Sequence, residues 1–249
     1  MALSREWVCV RLASYEDVEE AAYLTELYRG RTGQLNNTTF ALIAPDGKTL
    51  LDRSGRGPSF LIDMPHNPDV PATMEQTRAF ALKMDQFMLS FEPKAELASL
   101  PQAIDFRRSL NIAACDNQPL VVACAKSEKK RKALESQLAE LAWSDAFIGR
   151  LQYVIVADRN ELDSIGPIPE GDFLAVIQPG QFGTDGTILR QIGAKASDSE
   201  LQKLLRVGLE SYTREGLSRK EHFKQGTRKE AYWETVVPVT DEGKGGRSR

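Results

Sequence analysis

Apolar and polar positions along the chain fall into runs of different period, and each run predicts an element. Trp7-Val-Cys-Val-Arg-Leu12 has the apolar character of a strand. It stops at Ser14, which is placed to cap a helix over Tyr15–Tyr28 with Glu16 and Asp17 at its positive end. Thr38-Thr-Phe-Ala-Leu-Ile43 and Lys48-Thr-Leu-Leu51 flank Pro45-Asp-Gly47, so they read as a hairpin whose turn residues are supplied. Thr73-x-x-Gln76 has the form of a capping box, and Phe80, Met84, Phe87, Met88 and Phe91 recur on one face of the helix it opens.

The second half follows a related order. Gln152-Tyr-Val-Ile-Val-Ala157 and Phe173-Leu-Ala-Val-Ile177 read as strands, and Thr184-Asp-Gly-Thr-Ile-Leu-Arg190 completes a hairpin. A helix then opens at the capping box Ser197-x-x-Glu200 and carries Leu201, Leu204, Leu205, Gly208 and Tyr212 on one side. Ahead of these lie an amphipathic segment, Ile104–Ala114, a buried-type strand, Pro119-Leu-Val-Val-Ala-Cys124, and a helix over Ser127–Ala142 with Leu134, Leu138 and Leu141 inward. A helix joining two such strands implies that they run parallel. The pattern predicts two related units with a seam near Phe91–Leu100, flanked by Pro93 and Pro101. The expected division is 1–95, 101–213 and a C-terminal extension over 214–249, whose Gly-rich end from Asp241 has the composition of a disordered tail.

Composition bounds the function. The chain has 249 residues, 41% hydrophobic and 27% charged, with a formal net charge of −3, which is the profile of a soluble protein large enough for two cores. No apolar run approaches the ~20 residues of a bilayer span, and Met1-Ala-Leu-Ser-Arg-Glu lacks a secretory apolar stretch. The expected location is cytoplasmic. Three cysteines (Cys9, Cys115, Cys124) and two histidines (His66, His222) are too few for a disulfide scaffold or a four-ligand zinc site.

Ala114-Cys-Asp-Asn-Gln-Pro-Leu-Val-Val122, Trp143-Ser-Asp145 ahead of a strand, Pro45-Asp-Gly47 in a final hairpin and Gly193 before the last helix resemble the thioredoxin-like family, in particular its larger bacterial members. The resemblance covers about residues 102–213 in the second unit. In the first it covers about 5–91, and only the family's later half. It implies an α/β fold of two thioredoxin-like units, the first lacking its early strand-helix portion, plus a C-terminal helical extension.

The departures bear on chemistry. Where the family carries Cys-x-x-Cys this chain runs Ala125-Lys-Ser-Glu-Lys-Lys130, and Cys-x-x-Cys occurs nowhere in it. Dithiol exchange needs an attacking thiolate and a second, resolving thiol. The slot of the family's cis-proline falls at Asp172 in the second unit and at Asn37 or Thr38 in the first. The strand missing from the first unit would leave unpaired backbone in its sheet. Direct pairing of the neighbouring strands, a strand from a partner chain in a homodimer, or return of Thr235-Val-Val-Pro-Val239 would each satisfy it, with Pro238 favouring an edge position.

Several side chains compete for a role. Cys9 and Cys124 lie in apolar strands, where a thiol usually serves as a small core residue; they are also the candidates for thiol chemistry, Cys124 the better placed because it precedes the family's active-site helix. Lys126, Lys129, Lys130, Arg131 and Lys132 crowd the start of that helix, where cations oppose its dipole. With Ser127 and the free amides they form a candidate contact for an anion or an acidic partner surface, against the alternative of a solvated face. His66, with Met64, Met84 and Met88, is a weak soft-metal candidate, since Met on an apolar stripe is ordinarily core filler. Basic and aromatic residues interleave from Arg219 to Trp233, but Glu215, Glu221, Glu230 and Glu234 among them disfavour nucleic acid and favour a helix packing its aromatics on the domain surface.

The expected function is a redox-inactive thioredoxin-fold module that binds a protein or peptide, with no cofactor, no metal and no membrane contact. The alternative is a thiol-dependent oxidoreductase using Cys124 or Cys9, or a dithiol encoded upstream; soft-metal binding is a third reading.

Overall fold

Five consecutive apolar residues, Leu120–Cys124, are buried on both faces and form the inner strand β1 of a four-stranded sheet in the computed structural model. The structure describes residues 7, 12, 17–27, 40–54, 73–91, 99–213 and 216–231. The chain divides into two units, Met1–Pro93 with Trp233–Arg249, and Lys94–Tyr232. The sheet belongs to the second.

β1 runs parallel to β2 (Gln152–Val156), with Val122 opposite Val154, as a strand-helix-strand connection requires. On its other side it pairs antiparallel with β3 (Phe173–Pro179), and β3 pairs antiparallel with β4 (Gly186–Gly193), giving the order β2-β1-β3-β4. Alternation along the strands sends side chains to two cores. Val121, Ala123, Tyr153, Leu174 and Val176 face the helices α4 (Glu128–Ala142) and α5 (Asp198–Ser211). Leu120, Val122, Cys124, Val154 and Phe173 face α3 (Phe106–Asp116) and a 3-10 turn over Arg159–Ile165. The result is a mixed sheet between two helical layers.

Helix boundaries have local causes. Ser197 Oγ accepts from the Glu200 amide while the Glu200 carboxylate accepts from the Ser197 amide at 2.8 Å, the reciprocal box expected of that pair. Asp105 accepts from the Arg108 amide at 2.7 Å to open α3, and Asn117, with φ at +52°, closes it in the left-handed region. α5 approaches β3 so closely at Gly208 that a Cβ there would lie 2.6 Å from a Val176 methyl carbon.

A sixth helix, α6 (Arg219–Arg228), opens at a Ser218/Glu221 capping box in the stretch expected as a C-terminal extension, and it clusters with the second unit. Its expected aromatic packing takes a different form: Phe223 is 76% exposed, and the ring contact is made instead by His222, whose imidazole lies 4.8 Å from the Phe182 ring. Tyr232 and Trp233 lie outside the described residues.

In the first unit α1 (Val18–Leu27) starts at Asp17, whose carboxylate accepts from the Glu19 and Glu20 amides at 2.9 and 3.1 Å. The hairpin is present, with Ile43 opposite Leu50 and a turn in which Gly47 takes a φ of +69°. α2 (Met74–Met88) begins at the expected Thr73/Gln76 box. Its Phe80, Met84 and Phe87 pack with Leu42, Phe40, Leu51 and Trp7, and the Phe40 and Phe80 rings meet edge to face at 5.9 Å. Of the strand expected over 7–12, only Trp7 and Leu12 are described, and Ser14 and the segment Thr235–Val239 lie outside the described residues. The class of the whole chain is α/β.

Candidate functional site

β1 ends at Cys124, and the chain turns through Ala125–Ser127 into α4. Ala125 still donates to the Val156 carbonyl, so the parallel ladder holds this turn against β2. Ser127 is the N-cap residue of α4 but makes no side-chain cap bond. Asp172 acts there instead. Its backbone carbonyl accepts from Ala194 at 3.1 Å, which fixes it at the head of the β3–β4 ladder. Its carboxylate accepts from the Lys126 amide at 3.3 Å and from Lys130 Nζ at 2.5 Å. The Lys130 ammonium and then the Lys126 amide hold the Asp172 carboxyl below the usual carboxylate range.

The structure therefore brings together residues that the sequence singled out separately: Asp172 from the cis-proline slot, and Lys126, Ser127 and Lys130 from the basic run. Lys132 lies one turn on and pairs with Glu128 at 2.9 Å, while Lys129 is exposed. Arg131 turns back to donate to the Ala125 and Lys126 carbonyls at 3.0 and 2.7 Å, tying the helix to the turn it follows. In the sequence Arg131 shows only as a charge, because a bond to carbonyls five and six residues earlier has no periodic signature.

Cys124 is 2% exposed on the α3 side of the sheet. Burial, the largest influence, pushes its thiol pKa up; Asp172, Glu161 and Asp158 push the same way, and Arg159 acts against them. An activated cysteine has the opposite setting, an electropositive and partly open one. Cys115 is exposed in the last turn of α3. Cys9, Asn37, Thr38 and His66 lie outside the described residues. Among the described residues no three His, Cys, Asp or Glu side chains are grouped to hold a metal ion, and no helix is long and apolar enough to cross a membrane.

Beside the corner runs a groove of about 460 Å³ along the edge strand β2, bounded by Gln102, Ile104, Ile155, Arg131, Lys132 and Glu135. Ile104 is 73% exposed on its wall. Gln102 bridges Tyr153 in parallel fashion, and its side-chain oxygen accepts from the Ile155 amide at 3.2 Å, so one outward donor of the edge is already met. At the opposite pole of the sheet, a cleft of about 200 Å³ lies among Cys115, Asn117, Gln178, Phe182, Tyr212 and His222. Its walls come from segments up to 108 residues apart, from Ala114 to His222, and no local pattern announces it.

No family model, curated protein or solved structure matches this chain.

Proposed function

We propose that residues 94–232 form a thioredoxin-like unit that has no dithiol and serves as a non-catalytic module for binding a protein or peptide, and that the first unit is a partial relative of it. The parallel strand-helix-strand, the antiparallel hairpin after it and the closing helix follow the order that the sequence resemblance implies. One observation carries the functional part. The corner where the family's dithiol would sit holds Ala125–Glu128, and Asp172 engages its amide and ammonium donors while the adjacent Cys124 is buried with a raised pKa. Such a thiol is a poor nucleophile, and Ala125–Glu128 supplies no resolving partner. The β2 groove, with Ile104 and Ile155 on its apolar side and Arg131, Lys132 and Glu135 at its rim, offers an extended peptide both contact and charge selection. A cytoplasmic location belongs to the same proposal.

Two measurements test it. In an insulin-reduction assay the full chain gives no turnover above the reductant alone; turnover that disappears in Cys124→Ser overturns the non-catalytic reading. Peptides selected from a displayed random library on the full chain bind Ile104→Asp about tenfold more weakly, a change of about 1.4 kcal/mol. Unchanged affinity removes the groove from the proposal.

A further inference from the structure

The described part of the first unit leaves an apolar stripe uncovered on α2, on the side away from its own core. Met74 is 71% exposed, Leu82 62% and Leu89, the C-cap residue, 88%. At about 100° per residue, Met74, Arg78, Leu82, Asp85 and Leu89 fall within about 80° of one another, roughly opposite Phe80, Met84 and Phe87. Arg78 is exposed and Asp85 half-exposed, and no ion pair engages either of them among the described residues.

The order along this face is its own reverse complement. Met74 and Leu89 are centred between Ala81 and Leu82, and so are Arg78 and Asp85. A two-fold axis through that point, with two copies of α2 antiparallel, sets Met74 of each copy against Leu89 of the other and Arg78 of each against Asp85 of the other. The Leu82 side chains meet near the axis. An isologous interface requires this property, that residue i meets j and j meets i. Two charge pairs of opposite sign, one on each side of an apolar centre, also fix the antiparallel direction, because a parallel pair would bring like charges together.

We propose that this face of α2 is a homodimer interface, with a second copy of the chain as its occupant through an antiparallel helix pair. The contact is small. From Met74 to Leu89 the helix spans roughly 22 Å at about 1.5 Å per residue. A helix pair of that length falls short of the roughly 1,200–2,000 Å² of a standard stable interface, which places it among weak, transient contacts. The expected first-sheet homodimer would use strand backbone; this one uses the outer face of a helix.

Sedimentation equilibrium of the full chain from about 1 to 500 μM provides the test. The weight-average mass is expected to rise from 27.7 kDa towards twice that value across this range. Leu82→Glu is expected to weaken association at least about thirtyfold with an unchanged circular dichroism spectrum, since the side chain is exposed. Arg78→Asp alone and Asp85→Arg alone each weaken it, and the double charge swap restores it to within about threefold of the parent. A monomer at every concentration overturns the proposal. So does a dimer indifferent to Leu82→Glu, or a double swap no better than either single variant.

Discussion

Removing one oxygen from Tyr153 should make this protein more stable. Tyr153 sits in β2 at 2% exposure, packed in the core that includes Leu100, Leu134, Leu138 and Phe147, and its hydroxyl has no hydrogen-bond partner among the described residues. A hydroxyl stranded in this way costs about 1–3 kcal/mol relative to one that keeps its water. Tyr153→Phe retains the ring and its packing and leaves a space on the order of 10 Å³. At about 24 cal/mol per Å³ that space returns only ~0.2 kcal/mol. The net expectation is a gain of about 1–3 kcal/mol, or roughly 2–12 °C in Tm at 2–4 °C per kcal/mol. A second signature lies at alkaline pH. Burial pushes the Tyr153 phenol above its ordinary range. Stability from a group whose folded pKa is raised is fully present below the unfolded value, about 10, and is lost above it at about 1.4 kcal/mol per pH unit. Urea unfolding of both proteins at pH 7 and pH 11 reads both effects. The gap between them should widen at pH 11 with m unchanged. A variant less stable than the parent by more than about 1 kcal/mol at pH 7, or a gap that does not widen, refutes the reading of an orphaned buried phenol.

Three further expectations follow from particular contacts. Gly208→Ala places a Cβ 2.6 Å from a Val176 methyl carbon, and the overpacking cost of about 1–3 kcal/mol outweighs the roughly 1 kcal/mol that Ala gains over Gly in a helix; thermal unfolding shows a lower Tm, partly recovered when Val176→Ala is added. Asp172→Asn flattens the acid limb of the stability curve, because a carboxyl held below its ordinary range contributes stability above the unfolded value near 3.9 and loses it as pH falls through the lower, folded one; coincident acid titrations of variant and parent by circular dichroism would count against the Lys126–Asp172–Lys130 contact. Alkylation at pH 8 with peptide mapping labels Cys115 at least about a hundredfold faster than Cys124, and equal rates would contradict the burial of Cys124.

What could be read from sequence was what a few neighbouring residues decide. The Thr73/Gln76 and Ser197/Glu200 boxes lie within single turns, and both helices begin where those pairs place them. The parallel pairing of β1 and β2 followed from the length of the connection and the apolar runs at its ends. At α1 the structure shows Asp17 capping the helix, a residue type that serves there as well as the Ser14 the sequence offers, which lies outside the described residues. The 3-10 turn at Arg159–Ile165 is too short to show a period, although the Asp158/Glu161 pair that opens it is another capping box. Long-range partners left no trace of their own: Asp172 and Lys130 are 42 residues apart, and Phe182 meets His222 across 40.

The basic run at the head of α4 was expected to cost helix stability, because cations there oppose the dipole, and to invite an anion that would offset the cost. The offset is built in. Asp172 stands at that end with one oxygen on the Lys126 amide and the other on Lys130, Glu128 pairs with Lys132, and Arg131 is spent on two carbonyls. An incoming carboxylate therefore finds at this corner a competing carboxylate already held in place, and it must displace Asp172 to gain the same donors. The exchange swaps one anion for another, so the net gain in charge-assisted bonds is small. On the proposed function, selectivity for a partner then shifts to the β2 groove, where Ile104 and Ile155 add apolar surface that needs no displacement. Changing Ile104 should accordingly weaken a partner more than changing Lys130, whose loss also frees Asp172 to repel an acidic ligand only at the site the ligand avoids.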